Sequence, residues 1–462
     1  MATALNAADY GLTSGSADQT AHLQAAINAA QTQGLPLFIP KGTFPVTSVN
    51  ITAPIEIYAV PGQAKITGFG RSPTINIVGS TDGDGDEDDR FGPVTIRDLS
   101  FDGASQTFPA GGLSAIIQAA WIDFINVLNC AISNSGGIGI YLYKCRGRIE
   151  GNQIFGSKKY AVLNHDASNV VFIDRNVVTY SSDNGICVVR SSAGSDQGVI
   201  SNNQIGFTSA LSGGSGENGN AILVVNANYV KVIDNMTYNS AFSGIRANAS
   251  SNAVISGNQC YGSGESAIYV EAPAAGTSWV GGVISSNRVE TCGVGIVAAN
   301  SNNGGRWISI TGNQVSNCTN NTITYPGGSY QTWGRAIYAE ADCLVANNQV
   351  AAATDWGIYV FAVNYNGIFG AEKVLAQVEN NNVRNCAGGI GFYQADTTHT
   401  RVLIGGNMIS GYTTTSRYAA IVAATYNGVT NEITKVAGAP DLGNATTSGY
   451  SNVVLLPNWS FT

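Results

Sequence analysis

The stretch SAFSGIRANASSNAVISGNQCYGSGESAIYVEA, Ser240 to Ala272, holds two phrases of one design, SGIRANA and SAIYVEA, set 23 residues apart. Each alternates small or aliphatic residues with larger ones at a period of two, the pattern of a strand with two unlike faces. Between them lies ISGNQC, a turn phrase around Asn258. The interval is too short for a crossover helix. Strands of one kind that return every 23 residues without a helix stack in parallel, coil upon coil.

The same two phrases recur along the chain. Asn-x-aliphatic, or a near variant of it, recurs at Asn152, Asn176, Asn203, Asn235, Asn258, Asn287, Asn313, Asn348, Asn382 and Asn407, at spacings from 23 to 35 residues. The minimum is one coil and the excess is inserted loop. In step with it run GIYLY, AVLNH, GICVV, AILVV, GIRAN, AIYVE, GIVAA, AIYAE, GIYVF and GIGFY. This repeat predicts an all-β, right-handed parallel β-helix. An Asn at one turn of every coil is suited to a ladder of side-chain amides.

Composition agrees. Of 462 residues 56 are Gly, only 11% are charged and 44% are hydrophobic, which suits short strands and turns and is too apolar for a disordered chain. The net charge of -8 and the lack of basic runs exclude a nucleic-acid partner, and an anionic ligand would need a local positive site. No apolar run approaches the roughly 18 residues of a membrane span. The eight Cys form no metal-ligand spacing and are expected to be small buried side chains. The chain opens MATALNAADYG, without a charged and apolar leader, and the expectation is an exported protein whose signal peptide has been removed.

The ends differ from the middle. SADQTAHLQAAINAAQTQG, Ser16 to Gly34, has a Ser/Asp cap, helical apolar spacing and a closing Gly. A capping helix over residues 1–50, a β-helix over 51–427 and a C-terminal cap over 428–462 are expected, the caps covering open sheet edges.

Within each strand phrase the Ile and the residue two later point inward. The residues one and three after the Ile share the outer face. One outer column contains Tyr141, Arg246, Tyr269, Tyr338 and Tyr359; the next contains Tyr143, His165, Asn248, Glu271, Glu340, Phe361 and Tyr393. Coils lie about 4.8 Å apart, so these side chains stack as neighbours. Aromatic faces with acids and cations among them suit a glycan: rings stack on sugars and polar groups bind hydroxyls. Burial of the same aromatics beneath long loops is the competing reading. Inserted loops after or before four strands would wall this face, including SALSGGSGENGN, which carries Glu217, and CTNNTITYPGGSYQTW. Arg190 stands near a strand end. Asp82, Asp84, Asp86 and Asp89 alternate in the Gly loop DGDGDEDD, a candidate Ca²⁺ site that lacks the full EF-hand spacing.

LNAADYGL, DQTAHLQAAINAA and LPLFIPKGTFPV together resemble the N-terminal segment of pectate-lyase-superfamily β-helices, a group that includes polysaccharide-active enzymes and phage tailspikes. The middle, from NGICVVRSSAGSDQGVISNNQI to AFSGIRANASSNAVISGNQC, resembles a bacterial family of Tat-translocated repetitive β-helix proteins, which implies export without fixing a reaction. The tailspike likeness implies a homotrimer as the alternative to a monomer. The GHG turn and RIK phrase of pectin hydrolases are missing, and Asn164-His165-Asp166 only partly echoes the DPHD phrase of mannuronan epimerases.

Three chemistries fit. The favoured one is a lyase: proton abstraction beside a uronate carboxylate, giving β-elimination, or C5-epimerisation as a variant. Arg246 would neutralise the carboxylate, Tyr269 or His165 would move the proton, and Asn248 with Glu271 would bind the carboxylate or a Ca²⁺. The second is inverting glycoside hydrolysis or glycan transfer by Glu271 and Glu340, two coils apart in one column, with Asp183, Glu217 and Glu265 as further carboxylates. The third is a non-catalytic glycan-binding or structural β-helix. Tyr141, Tyr143, Arg190, Glu217, Asn248, Tyr338, Tyr359, Phe361 and Tyr393 are the expected substrate contacts.

Overall fold

A coil of the repeat is three short strands joined by turns. Val254–Ser256, Gln259–Tyr261 and Ser266–Glu271 form one such coil, and each pairs in parallel and in register with the next, as in Ile255 with Ile284, Cys260 with Val289 and Ile268 with Ile296. The inward side chains Ile255, Cys260 and Ile268 are buried. Each such aliphatic contributes roughly 1.5–3 kcal/mol of transfer free energy. The computed structural model describes residues 4–79, 90–109, 112–167, 170–213, 216–272, 281–299, 307–340, 342–362, 374–394, 400–415, 417–427, 432–435, 453–455 and 457–461. The candidate Ca²⁺ residues Asp82, Asp84, Asp86 and Asp89, most of the insertions after AIYVE and GIYVF, and most of the expected C-terminal cap lie outside them.

The chain divides into two compact units, residues 1–212 with 221–223, and residues 213–220 with 224–462. In the first, three parallel sheets begin with the strands Leu5–Asn6, Gly42–Val46 and Val49–Ile51, the first of them pairing with Leu37–Phe38. The helix Thr20–Gln33 buries Leu23, Ala26, Ile27 and Ala30 and ends at Gly34, whose φ of 63° is the left-handed cap that glycine favours. Gln24 serves the edge strand as a paired strand would: its carbonyl accepts from the Asn50 N–H at 2.7 Å and its amide donates to the Asn50 carbonyl at 2.9 Å. The helix thus covers a sheet edge.

The second unit repeats the three-sheet coil. All the strand phrases of the repeat fall in one sheet of their unit, including Ile138–Tyr143 and Tyr160–His165 in the first and Ile245–Asn248, Ser266–Glu271, Val294–Ala299, Ile337–Glu340, Trp356–Ala362 and Gly388–Gln394 in the second. The parallel sheets establish the right-handed β-helix expected from the sequence.

The buried amides form ladders. Asn152, Asn176 and Asn203 are linked in the first unit, and Asn235, Asn258, Asn287, Asn313, Asn348, Asn381, Asn407 and Asn458 in the second. After the first residue of each ladder, the amide oxygen accepts from the preceding ladder residue's backbone N–H, as Asn313 does from Asn287 at 3.0 Å, while Asn152 accepts from the Cys130 N–H at 2.9 Å. Asn381, not the expected Asn382, takes the ladder place, and it is the member of the run followed two places on by an aliphatic residue, Val383. In the run Asn380-Asn381-Asn382 the first residue makes the left-handed turn, with φ 57°, the second is buried, and the third opens the strand Asn382–Arg384. All eight cysteines are free and buried, as their composition suggested.

Candidate active site

Parallel register brings the central residues of the second unit together. Arg246 pairs with Tyr269, and Asn248 with Glu271. The Arg246 guanidinium lies over the Tyr269 ring, 4.1 Å from its centroid. Its side chain is only 5% exposed. All three of its nitrogens donate to protein acceptors: Nη1 to Glu265 at 3.0 Å, Nη2 to Glu271 at 3.0 Å and Nε to Asn248 at 3.1 Å. Burial lowers its pKa, but Glu265, Tyr269 and Glu271 outweigh burial and raise it, so the cation is secure. The planar fork thus bridges the two carboxylates.

Glu265 has more partners than the strand pattern suggests. Besides Arg246, it accepts from the Ser243 hydroxyl at 2.9 Å and from the Tyr330 hydroxyl. Tyr330 reaches it from an antiparallel hairpin, Thr322–Tyr325 with Gly328–Gln331, built from the insertion CTNNTITYPGGSYQTW. Pro326-Gly327 makes its two-residue turn. The hairpin is anchored by buried Ile323, by Phe242 against Tyr325 and Tyr330, and by the Asn321 amide on the Gly264 carbonyl at 3.2 Å.

Beneath the hairpin is a pocket of about 350 Å³, lined among others by Glu265, Tyr269, Tyr330, Trp333, Tyr338 and Glu340. Glu340 is buried and accepts from the Tyr338 hydroxyl at 2.6 Å. Burial pushes the Tyr269 phenol up, followed by the charge of Glu271, and Glu265 and Glu340 add to this against Arg246. The Tyr338 phenol is raised by its own burial and by Glu340. Tyr330 and Trp333 are about one-third exposed and present open ring surface at the rim.

The outer aromatic column is mostly covered. Tyr338, Tyr359 and Phe361 are buried in one apolar cluster with Trp356 and Val422, against which Tyr269 and Tyr393 pack partly buried. Tyr359 is 0% exposed, stacked on Tyr338 with ring centroids 6.1 Å apart. This second apolar layer on the outside of the sheet is the burial reading of the same residues, and it leaves the rings at the rim as the open ones. Arg335 and Asp355, ion-paired at 2.9 Å and both buried, tie the layer to Arg417 and Tyr418.

Another loop closes over Arg246. Asn220 is buried, its amide donating to the Gly216 carbonyl at 2.9 Å and its oxygen accepting from the Ser243 N–H. Gly216 has φ 88°, and a Cβ there would come 2.0 Å from the Arg246 guanidinium. Glu217 on the same loop is exposed and is absent from the pocket wall.

The first unit groups Tyr141, Tyr143 and His165. The His165 ring contacts Tyr143 edge-on at 5.4 Å, its Nδ1 is 3.4 Å from the Tyr141 hydroxyl, and its Nε2 is 3.2 Å from the exposed Ser191 hydroxyl. Ser191 donates to Asp166 at 2.7 Å. Burial raises the Tyr141 phenol to about 12. Arg190 turns into the protein, donating to the Ala167 carbonyl at 2.7 Å, and lies 4.0 Å from Asp196, whose carboxyl burial raises to about 6. Among the described residues, no three metal-ligating side chains converge.

Three-sheet coils with an open pocket on an outer face define a right-handed parallel β-helix whose outer face carries a site lined by aromatics and carboxylates. The family model for the right-handed beta helix region matches residues 116–334. The catalytic unit of a GH87 alpha-1,3-glucanase from Streptomyces thermodiastaticus is similar at 14% identity and a TM-score of 0.61, over 94% of this chain and 72% of that one. The Dettilon tailspike protein is similar at 13% identity and a TM-score of 0.53, over 93% of this chain and 70% of that one. No curated protein matches the sequence. The likeness is one of fold.

Glu265, Ser243, Tyr330 and Trp333 are the residues the strand columns did not select. Glu265 precedes its strand and was only one of several spare carboxylates. Tyr330 and Trp333 lie in an insertion whose length marked it as functional but whose fold the repeat does not encode.

Proposed function

We propose that this protein is a polysaccharide-active enzyme that hydrolyses a neutral glycan in the pocket beneath the hairpin. Glu340 is the proton donor to the leaving oxygen, and Glu265 is the ionised carboxylate that activates water. Water adds across the glycosidic C–O bond, the sugar carbon taking the hydroxyl and the leaving oxygen the proton. The observation that carries this reading is that two glutamates line the pocket while every nitrogen of Arg246 is engaged by protein acceptors.

That arrangement argues against the elimination favoured by the sequence. A lyase needs a cation free to neutralise a uronate and a base of low pKa. Arg246 already serves two carboxylates, and burial with three nearby glutamates holds the Tyr269 phenol protonated. An anionic sugar would meet the Glu265 carboxylate in the pocket wall, and the neighbouring cation is already engaged by protein acceptors. Two carboxylates in different surroundings, one held by a cation and hydroxyls and one buried among aromatics, suit divided acid and base roles.

Trp333 and Tyr330 offer the ring surface on which a sugar stacks. Tyr143 and His165 are proposed further glycan contacts in the first unit. A polymeric glycan substrate fits an exported enzyme, and among the described residues no helix is long and apolar enough to cross a membrane. Mass in solution distinguishes a 47.9 kDa monomer from a homotrimer.

The test is substitution. Glu265→Gln and Glu340→Gln should each lower kcat by about 10³-fold on a glycan that the unsubstituted protein cleaves. Glu271→Gln, at a residue outside the pocket wall, should lose far less. Full activity in either of the first two variants would refute the assignment.

A further inference from the structure

We propose that Tyr330 is a positioning residue that fixes Glu265 as the ionised member of the pair, so that the hairpin decides which glutamate acts as base. This rests on the hydrolase reading of the pocket.

Glu265 is supplied with three donors, Ser243 Oγ, Arg246 Nη1 and Tyr330 OH. The first two come from the sheet and its preceding turn. The third comes from the hairpin, 65 residues further along the chain. Hydrogen bonds donated to a carboxylate favour its charged form. The bond runs one way: burial and the Glu265 charge both push the Tyr330 phenol up, so the hydroxyl stays protonated and stays a donor. Tyr330 also lines the pocket, and its ring packs on Phe242. One side chain therefore joins the sugar-stacking rim to the carboxylate that needs its charge. A hairpin displaced from the pocket would leave Glu265 with one donor fewer.

The variant is Tyr330→Phe, which keeps the ring and its packing on Phe242 and removes only the hydroxyl. Two readouts are used on the full chain. The first is the titration of the Glu265 carboxyl carbon in protein labelled at glutamate alone, with eleven glutamates in the sequence and Glu265→Gln supplying the assignment. The second is the acid limb of kcat/KM. Losing a donor to the charged form favours the protonated one, so both should move to higher pH. The Ser243→Ala variant should shift the same signal in the same direction by no more than that. A Glu265 titration that stays in place in Tyr330→Phe overturns the inference, whatever happens to the rate. A merely structural hydroxyl would lower the rate at every pH and leave the limb unmoved, and that result also overturns it. If the titration moves but the protein hydrolyses no glycan, the Tyr330–Glu265 coupling stands and the hydrolase reading fails.

Discussion

Arg246 and Glu265 form a buried ion pair, Nη1 to Oε2 at 3.0 Å, with side chains 5% and 13% exposed. Removing one partner of such a pair leaves a poorly solvated charge without its counter-ion, which costs more than the pair itself contributes. Arg246→Met should therefore destabilise the protein by about 3–5 kcal/mol as well as abolish activity. Combining it with Glu265→Gln and Glu271→Gln should restore part of that stability and no activity. Urea unfolding of the single and triple variants measures the difference.

Gly216 gives a sharper probe of the same cation. Its φ of 88° disfavours any side chain, and a Cβ would strike the guanidinium. Gly216→Ala should displace Arg246 or the loop over it. A stability loss of about 1–3 kcal/mol is expected, with activity falling further than stability explains. Comparing unfolding midpoints with kcat/KM separates the two effects.

Asp196 should impose a pH dependence on stability. Burial raises its folded pKa to about 6, above the value of an exposed carboxyl. Its contribution is thus fully favourable below the unfolded pKa and is lost as pH rises through the folded one. Between about pH 4 and pH 6 this amounts to about 2–3 kcal/mol. Asp196→Asn keeps an acceptor for the Gly198 N–H, which now bonds Asp196 at 3.1 Å. The variant should gain stability relative to the parent at about pH 7 and not at about pH 4. Thermal midpoints at the two pH values measure it.

The amide ladder predicts a cost at a residue with no catalytic role. Asn287 accepts from Asn258 and donates to Asn313 and to the Ile255 carbonyl. Asn287→Ala would leave buried donors and acceptors unpaired and should cost about 2–4 kcal/mol. Chemical denaturation of the variant checks this.

The fold was legible because its period is written twice, once in the Asn turns and once in the strand phrases. Every coil solves the same burial problem, so the same residue types return. Asn381 was legible and was placed one residue too far along: of the three consecutive Asn it alone has an aliphatic residue, Val383, two places on. In the site, Arg246, Tyr269, Asn248 and Glu271 were legible because parallel register stacks them directly. Glu265 was not singled out, since its place comes from a turn and from Tyr330, 65 residues away in sequence. Nor was the burial of Tyr359 and Phe361, because period-two alternation marks a side chain as outward without saying whether another layer covers it.

The most direct test of the account is a panel of neutral glucans and uronate polymers, read both for new reducing ends and for the ultraviolet absorbance of an unsaturated uronate. The account predicts reducing ends from a neutral glycan without the absorbance, abolished in Glu265→Gln and in Glu340→Gln. Absorbance rising on a uronate polymer would contradict it and return Arg246 and Tyr269 to the centre of the chemistry.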